Sequence, residues 1–176
     1  SSSIPTNVVD IASRQGYFYF AKADAVVGMT ISANGIVGVS STYNYTGQQI
    51  NSIDVLDNND FAVAGENGFF AYQGTNSGSI FTSTIQNADI NDLKFVDHVY
   101  AVAVGDNGAY FKFNATGMTP YGYATSGTWT EIQDVYQNGN DPYLVDNASD
   151  IDIYSIAFGS YDQAVFGGKY QSSFGV

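Results

Sequence analysis

The stretch INSIDVLDNNDFAVAGENGFFAYQG, Ile50–Gly74, recurs without a gap as INDLKFVDHVYAVAVGDNGAYFKFN, Ile90–Asn114. Ile50 stands against Ile90, Ile53 against Leu93, Val55 against Phe95 and Asp57 against Asp97. Gly65-Glu66-Asn67-Gly68 falls on Gly105-Asp106-Asn107-Gly108. A period of about 40 residues marks a repeat architecture, in which a unit buries its apolar face only against its neighbours. Each copy carries three strand signals. Ile53 and Val55 alternate with Ser52 and Asp54, the pattern of a half-buried strand. Phe61–Ala64 and Tyr100–Val104 are small and apolar throughout, as in a strand covered on both faces. The Asn-Gly pair that follows predicts a two-residue hairpin, because both of its residues tolerate positive φ. Outer strands are expected at 79–85 and 128–133, which completes four antiparallel strands per unit, the plan of a propeller blade.

Outward from this pair the pattern thins. A fainter copy is expected to start at Tyr17, with Phe20 in the second apolar position, Asp24 in the Asp position and Asn34-Gly35 on the turn. A fourth starts near Ile153, with Ile156 and Phe158 in register and Gly167-Gly168 in place of Asn-Gly. The interval 114–150 reads as a surface insertion containing an outer strand. The reading is therefore one all-β, propeller-type domain over 1–176, of about four blades. The run Ile4–Ile11 has no blade of its own. Two arrangements stay open: that run closes a small ring as the missing outer strand, or the blades belong to a longer propeller.

Composition agrees. Apolar residues make up 44% of the 176, enough to bury a core, and 15% are aromatic. The 17 acids include only two Glu, Glu66 and Glu131, and Asp favours turns where Glu favours helices. A net charge of −12 repels a phosphate backbone and anionic lipid, which argues against nucleic-acid partners. No run approaches the length of apolar chain that spans a membrane as a helix. There is no Cys and one His, His98, so neither a disulfide framework nor a zinc site is expected. No cofactor is expected. The chain begins at Ser1 without Met, which reads as a processed or excised chain.

At AVAVGDNGAYFKF, Ala101–Phe113, followed by ATSGTWTEI, Ala124–Ile132, the chain resembles the Asp-box (BNR) propellers. That superfamily includes sialidases, sortilin-like receptors and photosystem II assembly factors, and the pattern is most similar to the last. The resemblance implies a propeller in which the Asp box is a structural turn. Here Gly127-Thr128-Trp129 keeps the tail of the box without its Asp, and the other copies lack it. The basic surface an assembly factor of that kind could use on its client is missing.

A sialidase clamps a carboxylate with several guanidinium forks, and this chain has one Arg, Arg14. Glycoside hydrolysis needs two carboxylates across a cleft, and abundant Asp makes any chosen pair uninformative. No catalytic activity is expected. Tyr121, Tyr123, Trp129, Tyr136 and Tyr143 cluster in the insertion and are the candidate contacts for a protein partner, for self-assembly or for a glycan. The plainer reading packs them onto their own blade. Asp146, Asp150 and Asp152 form a weak candidate set for Ca²⁺, beside the plainer reading of a solvated loop. Asn44, Asn114 and Asn147 open N-glycosylation sequons. Few charges and many Tyr, Ser, Thr and Asn fit an extracellular or surface-exposed setting: secreted, on an appendage, or on a virion. The expected function is non-enzymatic protein–protein assembly, with a carbohydrate-binding module or an Asp-box glycoside hydrolase as the alternative.

Overall fold

A computed structural model describes residues 5–14, 16–35, 37–56, 60–74, 80–84, 89–96, 100–106, 109–116, 126–131, 151–160 and 163–170. It is an all-β, propeller-type stack of four sheets. The first is β1 (Val8–Arg14), β2 (Tyr17–Lys22), β3 (Ala25–Ile31) and β4 (Val37–Asn44). The second is β5 (Ile50–Val55), β6 (Phe61–Gly65), β7 (Phe69–Gln73) and β8 (Ile80–Thr84). The third is β9 (Ile90–Phe95), β10 (Tyr100–Gly105), β11 (Tyr110–Thr116) and β12 (Ser126–Glu131), and the fourth is β13 (Ile151–Ser160) with β14 (Gln163–Tyr170). Each sheet is an antiparallel meander in which strands pair in chain order. The repeat at Ile50 and Ile90 becomes the second and third sheets, with outer strands β8 and β12 where they were expected.

Two expectations need correction. The first sheet starts at Val8 rather than Tyr17. Tyr17–Lys22 is its second strand, and Asn34-Gly35 turns between the third and fourth, where Gly35 has φ 72° and its N–H donates to Ser32 O at 2.9 Å. Alternation in YFYFAK gave a strand without its rank. Val8–Ile11 of the run singled out from sequence accordingly belong to β1, the inner strand of the first sheet, and pair with β2 rather than with the fourth sheet. In the fourth sheet Gly167-Gly168 lies within β14, not in a turn. Gly168 pairs with Ile153, as Gly65 pairs with Ile50 and Gly105 with Ile90.

That shared pairing is a bulge at the mouth of the inner hairpin, and in these three sheets it leaves no room for a side chain, whereas in the first sheet Lys22 takes the position opposite Val8. A Cβ on Gly65 would fall against the Gln49 carbonyl oxygen, one on Gly105 against Asp89 O and one on Gly168 against Asp152 O. At the hairpin beyond Gly65, Asn67 (φ 55°, ψ 30°) and Gly68 (φ 68°) both take positive φ within a single 3-10 turn, Glu66–Gly68. Phe69 N–H donates back to Glu66 O, and the Asn-Gly reading holds there.

The sheets pack face to face and bury three apolar layers. Tyr19, Ala21 and Val26 meet Ile53, Val63 and Phe61 between the first and second sheets. Ala62, Ala64, Phe70 and Tyr72 meet Leu93, Ala103 and Phe111 between the second and third. Val102 and Val104 meet Ile153 and Ile156 between the third and fourth. β6 and β7 are buried at every position because both faces of the second sheet are covered. Asp60, also buried, accepts from the Tyr72 hydroxyl at 2.7 Å.

Candidate functional site

Two regions of the described residues stand out: a polar belt along the inner strands, and apolar rows on the outward faces of the first and fourth sheets. The belt follows from the bulge. Where the ladder is interrupted, the next backbone N–H lacks a strand partner and must find another acceptor. Registers with the second strands put Asp10, Ser52, Asp92 and Ser155 at this one repeat position. Asp10 Oδ2 accepts from Ile53 N–H at 2.9 Å and from Ser52 Oγ–H at 3.2 Å. Ser52 Oγ lies 2.9 Å from Asp92 Oδ1 and accepts from Leu93 N–H at 3.1 Å. Asp92 Oδ1 also takes Leu93 N–H at 2.8 Å, and its Oδ2 takes Ile156 N–H at 2.9 Å. Each sheet thus holds the next through an inner-strand side chain. One residue earlier, Asn51 and Asn91 donate across the same seams to Ile90 O and Ile153 O, both at 3.0 Å.

One cation joins the belt. Lys94 Nζ is 3.2 Å from Asp92 Oδ1. Burial alone would lower its pKa, but the carboxylates of Asp92, Asp54 and Asp10 outweigh burial and hold it above the ordinary lysine value. Asp54, which accepts from Phe95 N–H at 2.7 Å, is pushed up by burial against the opposing pull of that N–H and of Lys94. These carboxylates are engaged by backbone donors, an arrangement suited to joining sheets. Among the described residues no group of three or more His, Cys, Asp or Glu is placed to hold a metal ion.

Of the residues singled out from sequence, Tyr121, Tyr123, Tyr136, Tyr143, Asp146, Asp150, Asn147 and His98 lie outside the described residues. Trp129 is in β12 opposite Phe113, and Asn114 is in β11 opposite Thr128. Asp152 is half-buried in β13, opposite Lys169, and Asn44 is exposed at the end of β4. Glu66 is exposed in the hairpin turn, as a turn residue should be. Sequence reading missed the belt, although the alignment of the two clearest copies already placed Ser52 on Asp92.

The end faces come from the same register. The row Ile53–Val63–Ala71 of the second sheet and the row Leu93–Ala103–Phe111 of the third are buried against the preceding sheet. The matching row of the first sheet is Ile11–Phe20–Val27. Ile11 is 53% exposed, against 0% for Ile53 and Leu93, and Phe20 and Val27 are half-buried. On the opposite faces Tyr19, Ala62, Val102 and Val165 are equivalent. The first three are buried, whereas Val165 is 72% exposed.

No protein-family model matches the chain, and no curated protein matches it in sequence. Solved structures do. The β-propeller domain of Cps50 (Swd1) from Myceliophteria thermophila superposes with a TM-score of 0.70 at 10% identity, over 96% of this chain and 51% of that one. YCF48 bound to D1 peptide superposes with a TM-score of 0.61 at 13% identity, over 93% of this chain and 48% of that one. The chain therefore has a propeller fold and spans about half the length of the solved propellers it matches.

Proposed function

We propose that the chain is a non-enzymatic assembly module that binds protein through the outer faces of its sheet stack. The observation that carries this reading is Ile11: an apolar residue in a row that is buried in the second and third sheets, 53% exposed in the first. Isolated apolar residues on a surface are ordinary, but Val9, Ile11, Tyr17, Ile31 and Val39 all lie on the first sheet's strands. One structural neighbour was solved bound to a peptide, the class of ligand this reading assigns here. One Arg and one His also leave little side-chain chemistry for catalysis. The repeats are of Asp-box type on this reading, supported by Gly127-Thr128-Trp129 lying in the outer strand β12. The setting is extracellular or surface-exposed: low charge content and the exposed sequon Asn44 support it, and a mass that falls on enzymatic deglycosylation of the native protein would demonstrate it.

A photo-cross-linker at position 11, used in the native setting, should form an adduct with protein. An Ile11→Asp chain with unchanged far-UV dichroism should lose its assembled state. Absence of any protein adduct at positions 11 and 165, in a chain that sediments alone, would overturn the reading.

A further inference from the structure

We propose that Asn44 carries an N-linked oligosaccharide, joined to its side-chain amide and shielding the open edge of β4. This deepens, and rests on, the surface-exposed setting proposed above. Its first support is the way the chain presents the sequon Asn44-Tyr45-Thr46. Side chains alternate along a strand. Tyr43 and Tyr45 pack against the second sheet, with ring centroids 5.1 Å from Phe61 and 5.8 Å from Phe69 respectively. Between and beyond them Thr42, Asn44 and Thr46 are exposed. The acceptor amide and the sequon hydroxyl therefore reach solvent together. That exposure belongs to the outer rim: on the side the second sheet does cover, Ser41, Tyr43 and Tyr45 are still only half-buried.

The second support is the backbone. Asn44 is the last residue of β4 and pairs on one side only, with Ala25. Beyond it the chain turns: Tyr45 N–H donates to Asp24 O at 2.7 Å, Gln48 N–H donates to Tyr45 O at 3.0 Å, and Gly47 takes φ 83°. Thr46, Gly47 and Gln48 are all exposed. The sequon at Asn114 is placed differently. Asn114-Ala115-Thr116 lies inside the ladder with β12, opposite Thr128, Gly127 and Ser126, and Asn114 pairs with Tyr100 of β10 as well. In the folded chain an acceptor at Asn114 must leave two strands to enter an active site, whereas Asn44 gives up only a terminal pair.

The third support is what this edge lacks. From Ala25 to Ile53 the chain has no Asp, Glu, Lys, Arg or Pro. β4 is the outer strand of its sheet and runs for 8 residues within that stretch. Open edges are ordinarily protected by charge, proline or a bulge, and β4 has only the bulge, at Ser40 between the partners of Gly28 and Met29. A bulky, hydrated oligosaccharide at the end of the strand supplies the missing protection. In the transfer, Asn44 Nδ2 bonds to the anomeric carbon of an oligosaccharide held on a lipid pyrophosphate. The bond from that carbon to the pyrophosphate oxygen breaks, the lipid pyrophosphate leaves, and one amide proton passes to a base of the membrane-bound transferase.

The experiment treats the natively isolated protein with peptide N-glycosidase in heavy-oxygen water, which converts a glycosylated Asn to isotope-labelled Asp, and reads each sequon peptide by mass spectrometry. The label is expected at position 44 and not at position 114. In parallel the chain is expressed in a eukaryotic cell behind a cleavable secretory leader. There Thr46→Ala should abolish the label at position 44, Thr46→Ser should keep it, and Asn114→Gln should leave it unchanged. Thr46 is exposed, so both of its variants should melt close to the parent stripped of sugar. As the two are concentrated, secreted Thr46→Ala should scatter light sooner than secreted Thr46→Ser, because only the first has an unshielded edge.

A label at Asn114 with none at Asn44 would overturn the site and leave the surface-exposed setting standing. So would a secreted chain that stays unlabelled at position 44. A chain labelled at position 44 behind the leader but unlabelled when natively isolated would overturn the native modification together with the secretory route it rests on. Equal scattering by Thr46→Ala and Thr46→Ser would overturn the protection of the β4 edge.

Discussion

The second sheet and the first are built from the same meander and the same inner-strand bulge, yet their apolar rows meet opposite fates. Ile53 is sealed between two sheets, while Ile11, one repeat earlier at the same register, is more than half exposed. Burial in this molecule is thus a property of a sheet's neighbours more than of its residues. Chemistry identical in sequence is core in the middle of the stack and surface at its ends.

Substitution at equivalent positions should expose that difference most strongly in the apolar rows. Ile53→Ala removes a fully buried side chain and should cost about 2–5 kcal/mol in denaturant unfolding. Ile11→Ala in the dilute single chain should stay within about 0.5 kcal/mol. Equal costs would break the comparison. The belt should show a smaller contrast. Asp92 is buried and serves Ser52, Leu93, Ile156 and Lys94, so Asp92→Ala should cost about 2–4 kcal/mol by leaving an N–H and an ammonium unmatched. Asp10→Ala, at a half-buried site with no ion pair of this kind, should cost about half as much in the same unfolding measurement.

Glycine sharpens the comparison further. Gly65→Ala drives a Cβ onto the Gln49 carbonyl in a sheet clamped on both sides, and should cost roughly 1–3 kcal/mol. Gly168→Ala makes the equivalent clash with Asp152 O in the end sheet, where the strand can shift outward, and its melting point should fall less.

The smallest effects are in titration. Lys94 has a folded pKa above its unfolded value, so its contribution to stability is complete below the unfolded value of about 10.4 and is lost as pH rises through the folded one. Lys94→Met should flatten the alkaline limb of a stability–pH curve. Asp54 is also raised, which for a carboxyl means that stability falls as pH climbs from its unfolded value through its folded one. Asp54→Asn keeps an acceptor for Phe95 N–H and should gain a few tenths of a kcal/mol at pH 7, the gain shrinking in acid.

Much of the fold was legible because the second and third sheets repeat residue for residue, with glycine and Asn-Gly fixing the phase. The first sheet was misphased because VVDIASR offers neither aromatic weight nor a turn dipeptide, while YFYFAK and Asn34-Gly35 offer both one strand later. The fourth was misread because a Gly pair signals a turn as readily as it signals a crowded bulge. Of the candidate site, the belt was hidden for another reason. A lone Asp or Ser in an alternating strand reads as the solvent-facing half of the pattern, and only the closure of one sheet upon the next makes it an inward contact.

The meander order of every sheet also governs how the chain acquires its structure. Because strands pair only with their immediate successors, each sheet can zip from contacts close in sequence, the condition for rapid formation. Sheets then add one upon another, as in other linear arrays. Protection from amide hydrogen exchange should accordingly be greatest in β6 and β10 and decline toward β1 and β14, so that opening begins at the ends and travels inward. A molecule organised this way can gain or lose a whole sheet without disturbing the rule that holds the others, and its length becomes a variable on which duplication can act.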